Sequence, residues 1–243
     1  MSSPRRLARI AGLLYLIVAV FAGFSYNYAT GKTYVPGDAA ATAQNVLANA
    51  GLVRVGVVAD LIQATAWIFV AMVFYLLLRH VNENWARAMV ILVAVGAAIV
   101  CFNEAFPVAA LLVATDGSYA TAFGAAGSNA LVLLLLDIHH YGFLIAQIFF
   151  GLWLVPLGYL AYRSGLFPKA LGVALVVGGV CYVVDTFAVF LVPEFGTTIA
   201  NLAIPPTIAE VWMLGYLLVK GVKSPSAPDR RPVAVPGQVA ITP

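Results

Sequence analysis

Polar side chains that could bind a ligand or exchange a proton interrupt the apolar stretches of this chain. We take the following as candidate ligand-binding residues: Asp60, Gln63, Glu104, Asp137, His140, Gln147, Asp185 and Glu210. A charged group exposed to lipid costs roughly 3 kcal/mol on insertion scales, so such groups normally face a bundle interior or water. We therefore expect these side chains to point inward.

Helical spacing predicts which of these residues share a face. One stripe follows i, i+4, i+7, i+11 and comprises Gly56, Asp60, Gln63 and Trp67. A similar stripe comprises Asp137, His140, Leu144, Gln147 and Gly151. Residues at this spacing lie on one side of a helix. Each stripe is therefore predicted to face the interior of a bundle.

Distances along the helices place the polar groups in one half of the molecule. Asp60 is 19 residues from the basic residue Arg79, which corresponds to about 28 Å of helix. Glu210 is only 10 residues from Lys220, about 15 Å, and is the deepest of the group. This pattern predicts one polar cavity, with Glu210 at its floor, open on the side remote from the basic residues.

The excess of carboxylates favours a binding or transport protein. Five carboxylates have no intramembrane Lys or Arg to neutralise them: Asp60, Glu104, Asp137, Asp185 and Glu210. Burial and mutual repulsion raise the pKa of such carboxyls, which is the property that a proton-coupled carrier uses. The simpler interpretation is that Asp60 and Glu104, like Gln63, only hold helices together by hydrogen bonds.

Imidazole and carboxylate groups also allow a metal site, and hence an intramembrane metal-dependent hydrolase. The candidates are His140, Asp137 and His139, although adjacent histidines point about 100° apart on a helix. Asp137 and His140 have i, i+3 spacing, so they could also exchange a proton at the cavity mouth or merely anchor the helix at the interface. The sequence contains no His-Glu-x-x-His motif, and it leaves any cofactor open.

The composition requires a membrane to position these residues. Apolar residues make up 63% of the 243 residues, charged residues 9%, and the mean hydropathy is +0.97. A soluble domain is roughly half apolar and a quarter charged. The expected partners are the lipid bilayer and a small-molecule or lipid ligand, with no nucleic acid. Cys101 and Cys181 fall in apolar runs and are predicted to be buried free thiols.

Apolar segments predict an all-α, polytopic transmembrane bundle with six spanning helices. The expected helices are about 7–28, 52–78, 86–113, 130–162, 169–192 and 201–219. A short helix at 38–51 is expected on the membrane surface, and 115–129, rich in Gly, Ser and Ala, is expected to link helices 3 and 4. Residues 1–222 would form one transmembrane domain, followed by a disordered cytoplasmic tail at 223–243. The glycine-rich run Gly172 to Gly179 is expected to serve close helix packing.

The distribution of basic residues predicts the orientation. Eleven of the thirteen Lys and Arg residues fall on the side that contains the N-terminus, and Lys32 and Arg54 fall on the other. The positive-inside rule then places both termini in the cytoplasm, as an even number of spans requires. The basic and apolar start also fits a signal peptide. Its apolar stretch from Ile10 to Gly31 is longer than a usual signal core, so we expect a retained helix.

Several motifs resemble an uncharacterised bacterial six-helix membrane family, domain of unknown function 4386. They are Arg9-Ile10-Ala11-Gly12-Leu13-Leu14-Tyr15 and, between His139 and Tyr182, Tyr141-Gly142-Phe143, Phe149-Phe150-Gly151-Leu152-Trp153, Pro156-Leu157-Gly158-Tyr159-Leu160, Arg163-Ser164-Gly165 and Pro168-Lys169-Ala170-Leu171-Gly172. The resemblance covers about residues 5 to 222. It implies six helices and a bacterial inner (plasma) membrane, and it carries over no activity.

From these observations, we expect an integral membrane protein that binds or transports a small molecule through an outward-facing polar cavity. The alternatives are a regulatory or structural membrane subunit and the intramembrane metal-dependent hydrolase. The cytoplasmic loops, through which a regulatory subunit would act, are short.

Overall fold

The protein is described by a computed structural model, which covers residues 3–192 and 200–223. Its helices in chain order are α1 (Pro4–Gly23), a π-helical segment (Phe24–Thr30), α2 (Gly31–Thr33), α3 (Ala39–Ala48), α4 (Ala50–Leu78), α5 (Glu83–Asn103), α6 (Ala105–Thr115), α7 (Gly117–Ser164), α8 (Lys169–Leu191), a 3-10 turn (Ala200–Ala203) and α9 (Ile204–Val219). Over these ranges the fold is all-helical, as predicted. The predicted tail lies outside the described residues, except for its first residue.

Five of the helical stretches described are long and apolar enough to cross a membrane. They are Pro4–Thr33, Ala50–Leu78, Glu83–Thr115, Gly117–Ser164 and Lys169–Leu191. The α9 helix is also apolar but has 16 residues. Large apolar side chains on the outside of the bundle support a lipid environment, since Ile91, Phe102 and Val211 are 63%, 73% and 63% exposed. The chain therefore has the construction of a membrane-embedded protein.

Local sequence signals set several helix ends. The Asn82 side chain accepts a hydrogen bond from the backbone N–H of Trp85 at 3.2 Å and so caps α5. Gly165 adopts a left-handed φ of 70°, which ends α7. Pro168 directly precedes α8. Its ring and its missing N–H prevent α7 from continuing through this position. These signals place the turns near the predicted boundaries.

Two other expectations about local structure are wrong. Residues 115–129 are not an open linker, because helical structure begins at Gly117, but a break within this region divides it into two helical pieces. The break lies at Gly124, where φ is 71° and ψ is 161°, and the long helical part of α7 follows it. The predicted third helix is broken at Glu104 into α5 and α6. Pro107 explains the break, because its missing N–H and its ring disfavour a continuous helix one turn earlier.

Glycines bring α7 and α8 into close contact, as the glycine-rich run predicted. A Cβ added to Gly158 would lie 2.6 Å from the carbonyl oxygen of Gly172, and one on Gly172 would lie 2.7 Å from that of Gly158. The same reciprocal approach occurs between Gly151 and Gly179, at 2.5 and 2.6 Å. Only a residue without a Cβ permits such backbone contact. This interface fixes the positions of the polar residues on both helices.

The short α3 helix packs against the helical bundle. Its buried residue Val46 belongs to a small apolar cluster with Leu111 of α6 and Leu136 of α7. A helix is therefore present where one was predicted, and its buried face packs on α6 and α7. The prediction of buried thiols is also wrong: both cysteines are free, but Cys101 is exposed and Cys181 is half-buried.

Candidate functional site

A cavity of about 510 Å³, which we call the Glu210 cavity, lies between α1, α4, α7, α8 and α9. This volume falls within the roughly 300–1,000 Å³ of small-molecule sites. The lining residues with polar groups are Tyr15, Tyr26, Asn27, Gln63, Trp67, Gln147, Trp153, Tyr182, Thr207 and Glu210. The remaining wall is apolar. Such a cavity suits a ligand that is largely apolar and carries a few polar groups.

Two tyrosines hold the Glu210 carboxylate in this cavity. The Tyr15 hydroxyl donates to Oε1 at 2.7 Å, and the Tyr182 hydroxyl donates to Oε2 at 3.2 Å. The two donors come from opposite ends of the sequence, on α1 and α8. Each carboxylate oxygen therefore has a neutral partner, and within the described residues no Lys, Arg or His forms an ion pair with it.

Two glutamines add amide groups to the same cavity. The Gln147 side chain donates to Asp185 Oδ2 at 2.6 Å and to the Thr186 hydroxyl at 3.3 Å. Asp185 is buried behind Gln147, so it contacts the cavity through the amide and does not line it. Gln63 lines the cavity from α4. The predicted inward direction of the Asp60 and Gln63 stripe is confirmed, because its members are all buried.

Aromatic rings form one wall of the Glu210 cavity. Trp67 contacts Phe150 and Trp153 edge-to-face, with ring centroids 5.0 and 5.7 Å apart. Tyr15 meets Trp153 in the same way at 5.9 Å. Edge-to-face contact is a favoured arrangement of packed aromatic rings, and Tyr15, Trp67 and Trp153 are all buried. This wall is therefore ordered by its own packing.

A second group of polar residues, which we call the His139 cluster, comprises Asp60, Glu104 and His139. One ligand atom from each lies within 4.8 Å of the other two. His139 Nε2 and Glu104 Oε1 are 3.1 Å apart. The side chains come from α4, the α5–α6 break and α7, so the tertiary fold assembles the cluster.

Two backbone irregularities help to position this cluster. The π-helical segment carries Ser25, whose hydroxyl donates a short hydrogen bond to Asp60. π-Helices are rare and occur frequently at functional sites. The break between α5 and α6 turns Glu104 inward, and the preceding Asn103 amide donates to the backbone carbonyl of His139 at 2.8 Å. Both irregularities thus lie beside the same three side chains.

The His139 cluster borders a separate cavity of about 40 Å³. A water molecule needs roughly 10–15 Å³ by this kind of measure, so the space fits a few waters or an ion and excludes an organic ligand. Its polar lining residues are Ser25, Thr30, Thr33, Tyr34, Asp60, Glu104, His139 and His140.

Asp137 and His140, which were predicted to act as a pair, both contact Tyr34. The Tyr34 hydroxyl donates to Asp137 Oδ1 at 2.6 Å, and the Tyr34 ring lies 5.9 Å from the His140 ring. Burial, together with the hydrogen bond to Asp137, raises the pKa of the Tyr34 phenol. The described contacts include no hydrogen bond between Asp137 and His140. Tyr34 therefore contacts both residues, while the Tyr141 ring lies closer to His140, at 5.5 Å.

The structure divides the predicted single cavity into two. Asp60, Glu104 and His140 line the small cavity, whereas Gln63, Gln147 and Glu210 line the large one. The Gln63 amide connects them, since it donates to Asp60 Oδ1 at 3.5 Å. Spacing along single helices could not show this division, because it depends on how α1 and α7 pack against α4.

Sequence reasoning missed the hydrogen-bond partners of the candidate residues. They are Tyr15, Ser25, Tyr34, Asn103, Tyr182 and Thr186. Tyr15 and Tyr182 fall within the segments that resemble the family, which was a usable signal. Ser25 and Asn103 have no distinguishing spacing.

A profile of the family described as Domain of unknown function (DUF4386) matches residues 10–221. No curated protein and no solved structure matches the chain. The family match begins within α1, extends past the end of α9 and includes the residues of both cavities.

Proposed function

Because this chain belongs to the DUF4386 family, whose description names no ligand, we propose its function from the site itself: the protein binds an amphipathic organic cation in the Glu210 cavity. The proposal includes a six-span topology with the cavity facing the outside of a bacterial inner membrane. Binding is the first step of transport, and the same cavity would hold a transported molecule.

The main support for this proposal is the set of groups that surround the Glu210 carboxylate. The carboxylate accepts hydrogen bonds from two neutral hydroxyls and has no fixed cation beside it within the described residues. A buried carboxylate without a counter-ion attracts a proton or a cationic ligand. The tyrosines keep the carboxylate pointed at the cavity, so a cation bound there would supply the missing counter-charge.

The walls of the cavity favour a cation with apolar substituents. Tyr26, Phe143 and Phe150 line the cavity with partly accessible aromatic surface, which binds apolar groups and attracts cations. Gln63 and Gln147 provide further polar contacts. A small inorganic cation would leave most of the 510 Å³ without complementary contacts.

A sixth span is supported by the dimensions of the last helix. The 16 residues of α9 extend about 24 Å, and the four-residue 3-10 turn before it adds about 8 Å. Together they extend about 32 Å, enough to cross the roughly 30 Å of a bilayer core. Met213 and Leu217 of α9 are fully buried against the bundle, as in an integral span.

The outward orientation rests on the basic residues and the location of the cavity. The lining residues of the first span begin at Tyr15 of α1, about 16 Å along the helix from Pro4, and extend to Asn27 of the π-helical segment. The cavity therefore occupies the half of the bundle away from the basic N-terminal flank. With that flank in the cytoplasm, the cavity faces the other side of the membrane.

Binding of the lipophilic cation tetraphenylphosphonium to the protein in zwitterionic lipid nanodiscs tests the proposal. We expect saturable binding that is about tenfold weaker in Glu210→Gln, because a charged contact of about 1.4 kcal/mol is lost. The control Asp60→Asn removes a carboxylate from the other cavity and should bind as the wild type does. Absent binding by the wild type, or equal binding by Glu210→Gln, would contradict the proposal.

A further inference from the structure

We propose that the His139 cluster is a binding site for one divalent transition-metal ion, with Asp60, Glu104 and His139 as its protein ligands. The inference is independent of the proposed function, because the cluster lies at a different cavity and contains none of the residues that line the Glu210 cavity.

The geometry brings suitable donor atoms together. An imidazole nitrogen and two carboxylate oxygens lie within 4.8 Å of one another, and the His139–Glu104 pair is already at 3.1 Å. With bonds of about 2.0–2.1 Å, ligand atoms of a tetrahedral zinc ion are about 3.3 Å apart. Small side-chain movements of Asp60 would complete that arrangement.

The charge and burial of the cluster favour a metal ion. Asp60 and Glu104 are only 8% and 5% exposed, and neither forms an ion pair with Lys or Arg in the part of the chain described. Two carboxylates so close together repel each other in a low-dielectric interior. A divalent cation would neutralise both, and a buried ionised pair would then carry no net charge.

The surroundings provide space and supporting hydrogen bonds. The adjoining cavity of about 40 Å³ can hold the ion and a water molecule as a fourth ligand. Ser25 donates to Asp60, and Asn103 holds the backbone of His139. Hydrogen bonds of this kind orient metal ligands and raise metal affinity.

The donor set selects among metals. Imidazole favours zinc, iron, nickel and copper, whereas carboxylates also accept manganese. A cluster with one imidazole, two carboxylates and no thiolate is therefore suited to Zn²⁺ and provides no soft ligand for Cu⁺. We use Zn²⁺ as the test ion and Co²⁺ as its spectroscopic substitute.

Metal content after incubation with Zn²⁺ and gel filtration tests the site by inductively coupled plasma mass spectrometry. We expect about one Zn²⁺ per chain in the wild type, and at least a tenfold loss in His139→Ala and Asp60→Asn. The matched control is His140→Ala, which removes the neighbouring histidine of the same cavity and should retain the ion. Monodisperse gel-filtration profiles would show that the variants are folded.

Three results with folded variants would overturn the proposal. Less than about a tenth of an equivalent in the wild type would leave the cluster as a hydrogen-bonded His–carboxylate pair. Equal zinc in every variant would mean adventitious binding elsewhere, and loss in His140→Ala alone would assign different ligands. Should the ligand variants fail to fold, Co²⁺ binding to the wild type decides: a strong visible d–d absorption supports an ordered low-coordinate site, and its absence contradicts one.

Discussion

The Glu210 cavity and the His139 cluster both contain buried carboxylates, but they satisfy them in different ways. In the large cavity, neutral tyrosine hydroxyls bind Glu210, and aromatic rings form the wall. In the cluster, Glu104 lies beside a histidine and close to a second carboxylate. The first arrangement leaves room for an organic molecule, whereas the second leaves room for an ion and water.

The difference shows that the partners of a carboxylate, more than its burial, indicate what it binds. Hydroxyl donors can hold a carboxylate in place while leaving its charge available to an incoming cation. Two carboxylates and an imidazole compete for protons among themselves, and one metal ion satisfies all three. If this distinction is correct, changes in one region will leave the other largely intact.

The largest effect is expected from a substitution at the α7–α8 interface, which should disturb the Glu210 cavity but not the His139 cluster. In Gly151→Ala the new Cβ would lie 2.5 Å from the Gly179 carbonyl oxygen and 3.0 Å from Tyr182 Cβ, so α8 must move. We expect a loss of about 1–3 kcal/mol of stability and weaker tetraphenylphosphonium binding, with unchanged Zn²⁺ content. Thermal unfolding in detergent, followed by tryptophan fluorescence, measures the first effect.

The control for this change is Gly215→Ala, since an added Cβ there meets nothing within 4 Å. It should unfold at or above the wild-type temperature. A Gly151→Ala protein that unfolds normally would show that α7 and α8 do not depend on this contact.

A smaller effect is expected from the hydroxyls that hold Glu210. Tyr15→Phe and Tyr182→Phe each remove one hydrogen bond to its carboxylate, at 2.7 and 3.2 Å. Each should cost about 1–2 kcal/mol, with the larger loss at the shorter bond. Chemical or thermal unfolding provides the values. Tyr159→Phe is the control, because no hydrogen bond of its hydroxyl is found among the described residues, and an equal loss there would remove the special role of the pair.

The smallest expected effect concerns the coupling between the two regions. Gln63 connects them through a long hydrogen bond of 3.5 Å to Asp60. We therefore expect saturating Zn²⁺ to change tetraphenylphosphonium affinity by less than about threefold, and Gln63→Leu to remove any remaining change. Coupling of tenfold or more would mean that the two cavities act as one site, as the sequence predicted.

The sequence predicted the helices well where apolar length decided them and less well where small residues did. The bounds of α4 and α8, at Ala50–Leu78 and Lys169–Leu191, lie within two residues of expectation. The segment at 115–129 was misassigned because its glycines and serines are weak helix formers, whereas its alanines, Ala120, Ala122, Ala125 and Ala126, favour a helix. Pro107 was visible in the sequence, but its effect on Glu104 was not deduced.

The candidate residues themselves were found from composition, because a carboxylate or amide inside an apolar run is costly unless something satisfies it. Composition could not show which of these groups form hydrogen bonds or ion pairs with one another. His139, not His140, reaches Glu104, and Tyr15 and Tyr182 meet at Glu210 across 167 positions of sequence.

By itself the sequence determined that this chain is a helical membrane protein with buried polar groups, because hydropathy and helical periodicity are local properties that depend on neighbouring residues alone. The tertiary structure decided that those groups form two separate regions. That outcome depends on backbone approach at Gly151 and Gly158, on the π-helical turn at Ser25 and on the break at Glu104. These features set distances between residues on different helices, and no local pattern records such distances.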